Sequence, residues 1–173
     1  ALCSWVPYAR SLARAGYRVL AFDHRGYGSS STPSRPDRMS RIHADVMGAV
    51  AFLRARGVTR VVVGGASLGG AAAVAAAAQI RPALQGVFTL GAPQAFGSAD
   101  AVGAARMLQV PALFAAAVDD DEFADEARAL FDACTSGDKR LEIFPGSRHG
   151  APMLRDPQAK ALVDSWIAAH LRP

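Results

Sequence analysis

Arg60-Val61-Val62-Val63-Gly64-Gly65-Ala66-Ser67-Leu68-Gly69-Gly70 is the stretch that decides how this chain is read. A β-branched run enters Gly65-x-Ser67-x-Gly69, and an alanine-rich helical pattern follows at once. Strand, sharp turn and helix form the context in which a serine is lifted above a sheet edge. Such a serine holds strained backbone angles, so its neighbours at minus two and plus two are expected to be small. The following helix would point its positive end at the hydroxyl. Two other glycine-rich readings fail on spacing. A dinucleotide fingerprint needs glycine at its first, third and sixth positions, and counting from Gly64 puts Ala66 third. A phosphate-binding loop ends in Gly-Lys-Ser/Thr, and no lysine lies between Arg60 and Gln79.

Working outward, strand-like runs alternate with helical ones. Helices are expected over residues 5–15, 38–56, 68–79, near 99–108, over 123–133 and over 156–171. Pro7 suits a first turn, and Gly16 and Gly57 suit helix stops. In the second helix Ile42, Val46, Ala49, Val50 and Leu53 share one face. Buried strands are expected over 17–22, 60–63, 84–90, 110–118 and 141–144. Continuous apolar strands between helices imply an α/β fold, a mostly parallel sheet with helices on both faces. Neither linker nor repeat divides residues 1–173, so one domain is expected. In such sheets ligands bind beyond the carboxyl ends of the strands, where Ser67 falls.

Composition narrows the function. The net charge of +4 is carried by dispersed arginines, without the basic stripe interleaved with aromatics that nucleic acid requires. No apolar run approaches the roughly 20 residues of a membrane span. Two cysteines, Cys3 and Cys134, are too few for a zinc site or a disulfide framework; two free thiols are expected, a single bridge being the alternative. No signal peptide is visible after Ala1.

A serine hydroxyl becomes a nucleophile only beside a base, and the base needs an orienting carboxylate. His149 lies in a glycine-flanked loop directly after the last strand, Phe144-Pro145-Gly146-Ser147-Arg148-His149-Gly150. His24, His43 and His170 sit in a turn, on a helix and at a helix end, where structural roles suffice. For the carboxylate, Asp119-Asp120-Asp121-Glu122 follows the 110–118 strand. Asp121 and Glu122 could instead cap the next helix, although capping needs fewer acids than are present. No calcium-loop spacing appears.

Gly65-Ala66-Ser67-Leu68-Gly69, the turn Phe22-Asp23-His24-Arg25-Gly26-Tyr27-Gly28-Ser29 and the order Ser, Asp, His together resemble the α/β-hydrolases. The resemblance spans essentially the whole chain and is similar in detail to small lidless esterases of the dienelactone-hydrolase kind. It implies a serine hydrolase acting on carboxylic esters of small or medium acyl groups, with Ser67 as nucleophile, His149 as base and Asp120 as acid. The family's Gly-x-x-Asp pattern, counted on from Pro111, reaches Asp120; its glycine is Ala117 here, so Asp119 and Asp121 stay open. The Leu68 N–H would be one oxyanion donor. A second would come from a His-Gly-type loop upstream of Ala1, with three further strands, so the sequence is expected to be N-terminally incomplete. No cap domain, metal or organic cofactor is implied, and Asp23 and Arg25 are read as a structural turn. Trp5 and Trp166 read as core. The same triad would also serve a haloperoxidase or acyl-transferase, and a non-catalytic binding domain is the alternative of a different class.

Overall fold

A computed structural model describes residues 2–30 and 41–171. The expected helix start at Arg38 lies outside the described residues. Helix α1 spans Val6–Arg14, with Pro7 in its first turn, and Gly16 follows at φ 94°. Helix α2 spans Ile42–Arg54 and buries Ile42, Val46 and Val50, the stripe that its apolar spacing predicts.

Four strands form one parallel sheet: β1 (Val62–Ala66), β2 (Gly86–Leu90), β5 (Ala112–Ala117) and β6 (Lys139–Phe144), in the order β1-β2-β5-β6. Ala66 pairs with Leu90, Leu90 with Ala115, and Ala115 with Glu142. Every residue of β2 and β5 is buried, whereas β1 and β6 are only partly covered. A two-residue antiparallel hairpin, β3 (Ala95–Phe96) with β4 (Ala99–Asp100), precedes α4 (Ala101–Ala105). Periodicity predicts only the helix there, because strands this short carry no alternation.

Helix α3 (Leu68–Ala77) follows β1, α5 (Phe123–Ala133) follows β5, and α6 (Pro157–Leu171) closes the fold. The strands are added one after another in a single direction, and right-handed crossovers then put their connecting helices on one face. Accordingly α2, α3, α4 and α5 contribute to one apolar cluster, centred on the alanines of α3 and Phe114. Tyr8 of α1 with Val163, Trp166 and Ile167 of α6 builds the cluster on the opposite face. There the rings of Trp5 and Trp166 both pack edge-on against Phe88; Trp166 belongs to the core, whereas Trp5 is partly buried and packs against it. Cys3 is exposed and Cys134 buried, each a free thiol.

The expected strand over 17–22 is not formed. Tyr17 is half-buried, Arg18 to Leu20 are exposed, and the stretch has no regular structure. An apolar run becomes a strand only when a neighbour completes its ladder, and no described strand pairs with it. The turn that follows is fixed instead by α2. Asp45 accepts from the Arg25 backbone N–H at 2.9 Å and from its Nε at 2.8 Å, with Arg25 Nη2 at 2.7 Å. Burial alone would push the Asp45 carboxyl up, but the hydrogen bonds and charge of Arg25 outweigh it and hold the group below the usual carboxylate range.

At the β1–α3 reversal the two glycines of the motif differ. A Cβ on Gly65 would lie 2.1 Å from the backbone oxygen of Gly69, whereas one on Gly69 would meet only His24 Nε2, at 3.5 Å. The small-residue requirement therefore holds at minus two, and is corrected at plus two. Gly65→Ala is expected to lower unfolding free energy by at least about 1–3 kcal/mol, and Gly69→Ala to be neutral or slightly stabilising, as alanine is in a helix. Urea titration of both variants checks this, and equal losses would contradict it. Asp45→Asn is expected to cost about 1.5–3 kcal/mol at pH 7. A carboxyl with a depressed folded pKa stabilises above its unfolded pKa, and the effect is lost as pH falls through the folded value. The gap between wild type and Asp45→Asn should therefore shrink in urea titrations at progressively lower pH.

Candidate active site

All four parallel strands end on the same side of the molecule, and the sequence places a candidate group after three of them. Ser67 stands between β1 and α3 at φ 50° and ψ −129°. For a residue with a Cβ this is sparsely populated space, worth about 1–3 kcal/mol of strain, and it persists where surrounding bonds over-determine it. Here the Ser67 N–H donates to Leu90 O at 3.1 Å, and Ser67 O accepts from Gly70 N–H at 2.8 Å. The first-turn amides of Leu68 and Gly69 precede the first intrahelical acceptors, so they point out of the helix beside Ser67.

Asp120 follows β5 and is only 7% exposed, while Asp119 and Asp121 are exposed. Its Oδ2 lies 2.7 Å from His149 Nδ1. Of the three adjacent aspartates, the structure brings Asp120 to the histidine. Glu122, the residue before α5, makes no side-chain capping bond, so the capping alternative is not realised there. Instead Asp125 and Glu126 supply negative charge in the first turn. The acid and histidine loops are stitched together by their backbones. The Val118 N–H donates to Phe144 O at 2.8 Å and the Asp119 N–H to Gly146 O at 3.0 Å.

Ser67, Leu68 and His149 line one cavity of about 410 Å³ that continues between residues 17–24 and β1. Its walls are largely apolar, including Trp5, Phe22 and Val63. His24 faces the same space, and burial pushes its imidazole below the usual histidine range against the opposing pull of Asp45. The other two histidines lie elsewhere: His43 on α2, and His170 near the end of α6, bonded to Asp138 and to Trp166 O. Among the described residues no cluster of three or more His, Cys, Asp or Glu could hold a metal, and no helix is long and apolar enough to cross a membrane.

Two residues at the site go unremarked in the sequence reading. Gly91, at φ 58°, lies under the acid–histidine pair, where a Cβ would sit 3.1 Å from His149 Nδ1 and 3.3 Å from Asp120 Oδ2. A glycine immediately after a strand, at the ligand-binding edge, is the available signal. Phe123 lays its ring against the His149 imidazole, with centroids 4.3 Å apart. Its sequence signal is only its place one turn after Asp120.

The fold has many counterparts among solved structures. The monoacylglycerol lipase of Paleococcus ferrophilus superposes with a TM-score of 0.77 at 18% identity, over 96% of this chain and 89% of that one. The dienelactone hydrolase of Anabaena variabilis gives 0.63 at 25% identity, over 76% and 60%. The enol-lactonase of Burkholderia xenovorans gives 0.74 at 19%, over 94% and 85%. No curated protein matches the sequence. The sequence profile of the alpha/beta hydrolase fold does match, from residue 2 to residue 165. The parallel sheet with helices on both faces thus has its explanation: this chain belongs to the α/β-hydrolase family.

Proposed function

We propose that this chain is a serine hydrolase that cleaves carboxylic esters of small or medium acyl groups through an acyl-enzyme on Ser67. Hydrolase activity of the α/β-hydrolase type is supported by the family and by its lipase, lactonase and dienelactone hydrolase neighbours. The finer reading rests above all on one observation, the 2.7 Å contact of His149 Nδ1 with the buried Asp120 carboxylate. That bond fixes the tautomer with the proton on Nδ1 and leaves Nε2 as a base, and it stabilises the imidazolium once formed.

In this mechanism His149 Nε2 takes the Ser67 proton as Oγ attacks the ester carbonyl. The Leu68 N–H, at the positive end of α3, donates to the developing oxyanion. Collapse of the tetrahedral intermediate expels the alcohol, which takes its proton from His149. Water, deprotonated by the same imidazole, then attacks the acyl-enzyme and releases the acid and Ser67. No metal or organic cofactor is needed for these steps. Between β2 and β5 the chain builds only the β3–β4 hairpin and the short α4, so a one-domain site without a cap is proposed. An uncovered site suits compact acyl groups better than long lipids.

Fluorophosphonate labelling read by intact mass tests the nucleophile. One adduct on the wild-type chain and none on Ser67→Ala is the expected result. A folded wild-type chain that takes no adduct would instead fit a non-catalytic binding domain. Asp120→Asn, which leaves shape but spoils the tautomer, is expected to lower kcat for p-nitrophenyl butyrate by about 10⁴, while Asp119→Asn stays near wild type. Comparable losses in both variants would remove Asp120 from its assigned role.

A further inference from the structure

We propose that Phe123 is a positioning residue that holds the His149 imidazole in its reactive orientation. The inference rests on the reading of His149 as the base. The hydrogen bond from Nδ1 to Asp120 and the close approach of Gly91 hold the Nδ1–Cε1 edge of the ring, and what remains to be fixed is the tilt of its plane about that edge. With its side chain 38% exposed, His149 is not enclosed by packing in general. The ring that meets it is Phe123, centroid to centroid 4.3 Å and inclined by 48°. At that distance the two rings are in full van der Waals contact, so rotation of the imidazole would collide with Phe123 or forfeit the contact.

Phe123 is itself well held. It is half-buried and packs against the larger core cluster, and its backbone N–H donates to Asp120 O at 2.9 Å. Asp120 thus restrains His149 twice, directly through its carboxylate and indirectly through the residue bonded to its carbonyl. The turn that achieves this contains a second strained residue. Asp121, with φ 40°, occupies the left-handed region, which side chains adopt uncommonly, aspartate more readily than most. A relaxed Asp121 would turn the chain elsewhere and carry Phe123 off the imidazole. Strain kept at this place, one residue from the acid, is what a functional constraint on the turn would leave behind.

Ordinary core packing is the rival account, and it is separable. Phe123→Leu keeps an apolar side chain against the core but removes the aromatic face, and Phe123→Tyr keeps the face. In wild type the ring current of Phe123 should displace the His149 Cδ2 and Cε1 proton resonances; Phe123→Leu should abolish the displacement and Phe123→Tyr preserve it. The rate constant of fluorophosphonate labelling at Ser67 should fall about 10–100-fold in Phe123→Leu, as misplacement of a reacting group does, while the labelled fraction still reaches one adduct per chain. A p-nitrophenyl butyrate assay should show the same loss in kcat with KM little changed, and Phe123→Tyr should restore most of it. A packing role would lower the melting temperature or the labelled fraction and leave the rate constant of the folded molecules unchanged, which would overturn the proposal. Loss of the ring-current displacement with full labelling rate would overturn it too. Absence of labelling in wild type, with the displacement present, would strike the serine hydrolase reading instead.

Discussion

The backbone reversal at Ser67 is the constraint on which the rest depends. A strand and a helix meet there with no room for a loop, and the close approach of Gly65 to the Gly69 carbonyl is what lets them. Because the turn is so tight, the first turn of α3 lies directly against the carboxyl edge of β1, and the serine has nowhere to project except above the sheet. The alanines of α3 follow from the same constraint. A helix launched this close to its own strand can carry only small side chains on the faces that sheet and neighbouring helices cover, and Gly70 through Ala77 are all buried. Larger residues would push the helix away and open the turn.

The aspartate and the histidine depend on a different part of the sheet. Asp120 and His149 follow adjacent strands, and their loops share backbone hydrogen bonds before the side chains meet. The pair therefore rests on neighbouring strands whose ladder runs from Ala112 with Lys139 to Ala117 with Phe144. The ion pair of Arg25 with Asp45 does comparable service on the far side of Ser67, tying the turn beside the cavity to α2.

Much of this was legible in the sequence because it is local. Apolar period and breaker residues place α1, α2 and the parallel strands to within a few residues, and α5 at its observed bounds. The glycine–serine motif announces the turn at Ser67 because strained backbone and close approach restrict residue type at single positions. What stayed hidden is non-local. Residues 17–22 have the composition of a strand, but a ladder needs a partner, and composition says nothing of partners. Among Asp119, Asp120 and Asp121 chemistry is identical, and which of them meets His149 follows from the direction of a turn that holds Asp121 at φ 40°. Gly69 matches the motif without the crowding that the motif suggests, since its missing Cβ faces a side chain at ordinary contact distance.

In the order β1-β2-β5-β6, Ser67 lies two strands away from Asp120 and three from His149. Neighbouring parallel strands are rotated by roughly 20–25°, so the relative direction of the loops that carry Ser67 and His149 is an accumulated property of the sheet beneath them. The contact of Gly86 with Trp166 lies at the opposite end of β2 from the site, where a Cβ would meet the indole at 2.6 Å. A residue larger than glycine at position 86 would therefore have to displace the Trp166 indole, around which the cluster opposite α3 is built.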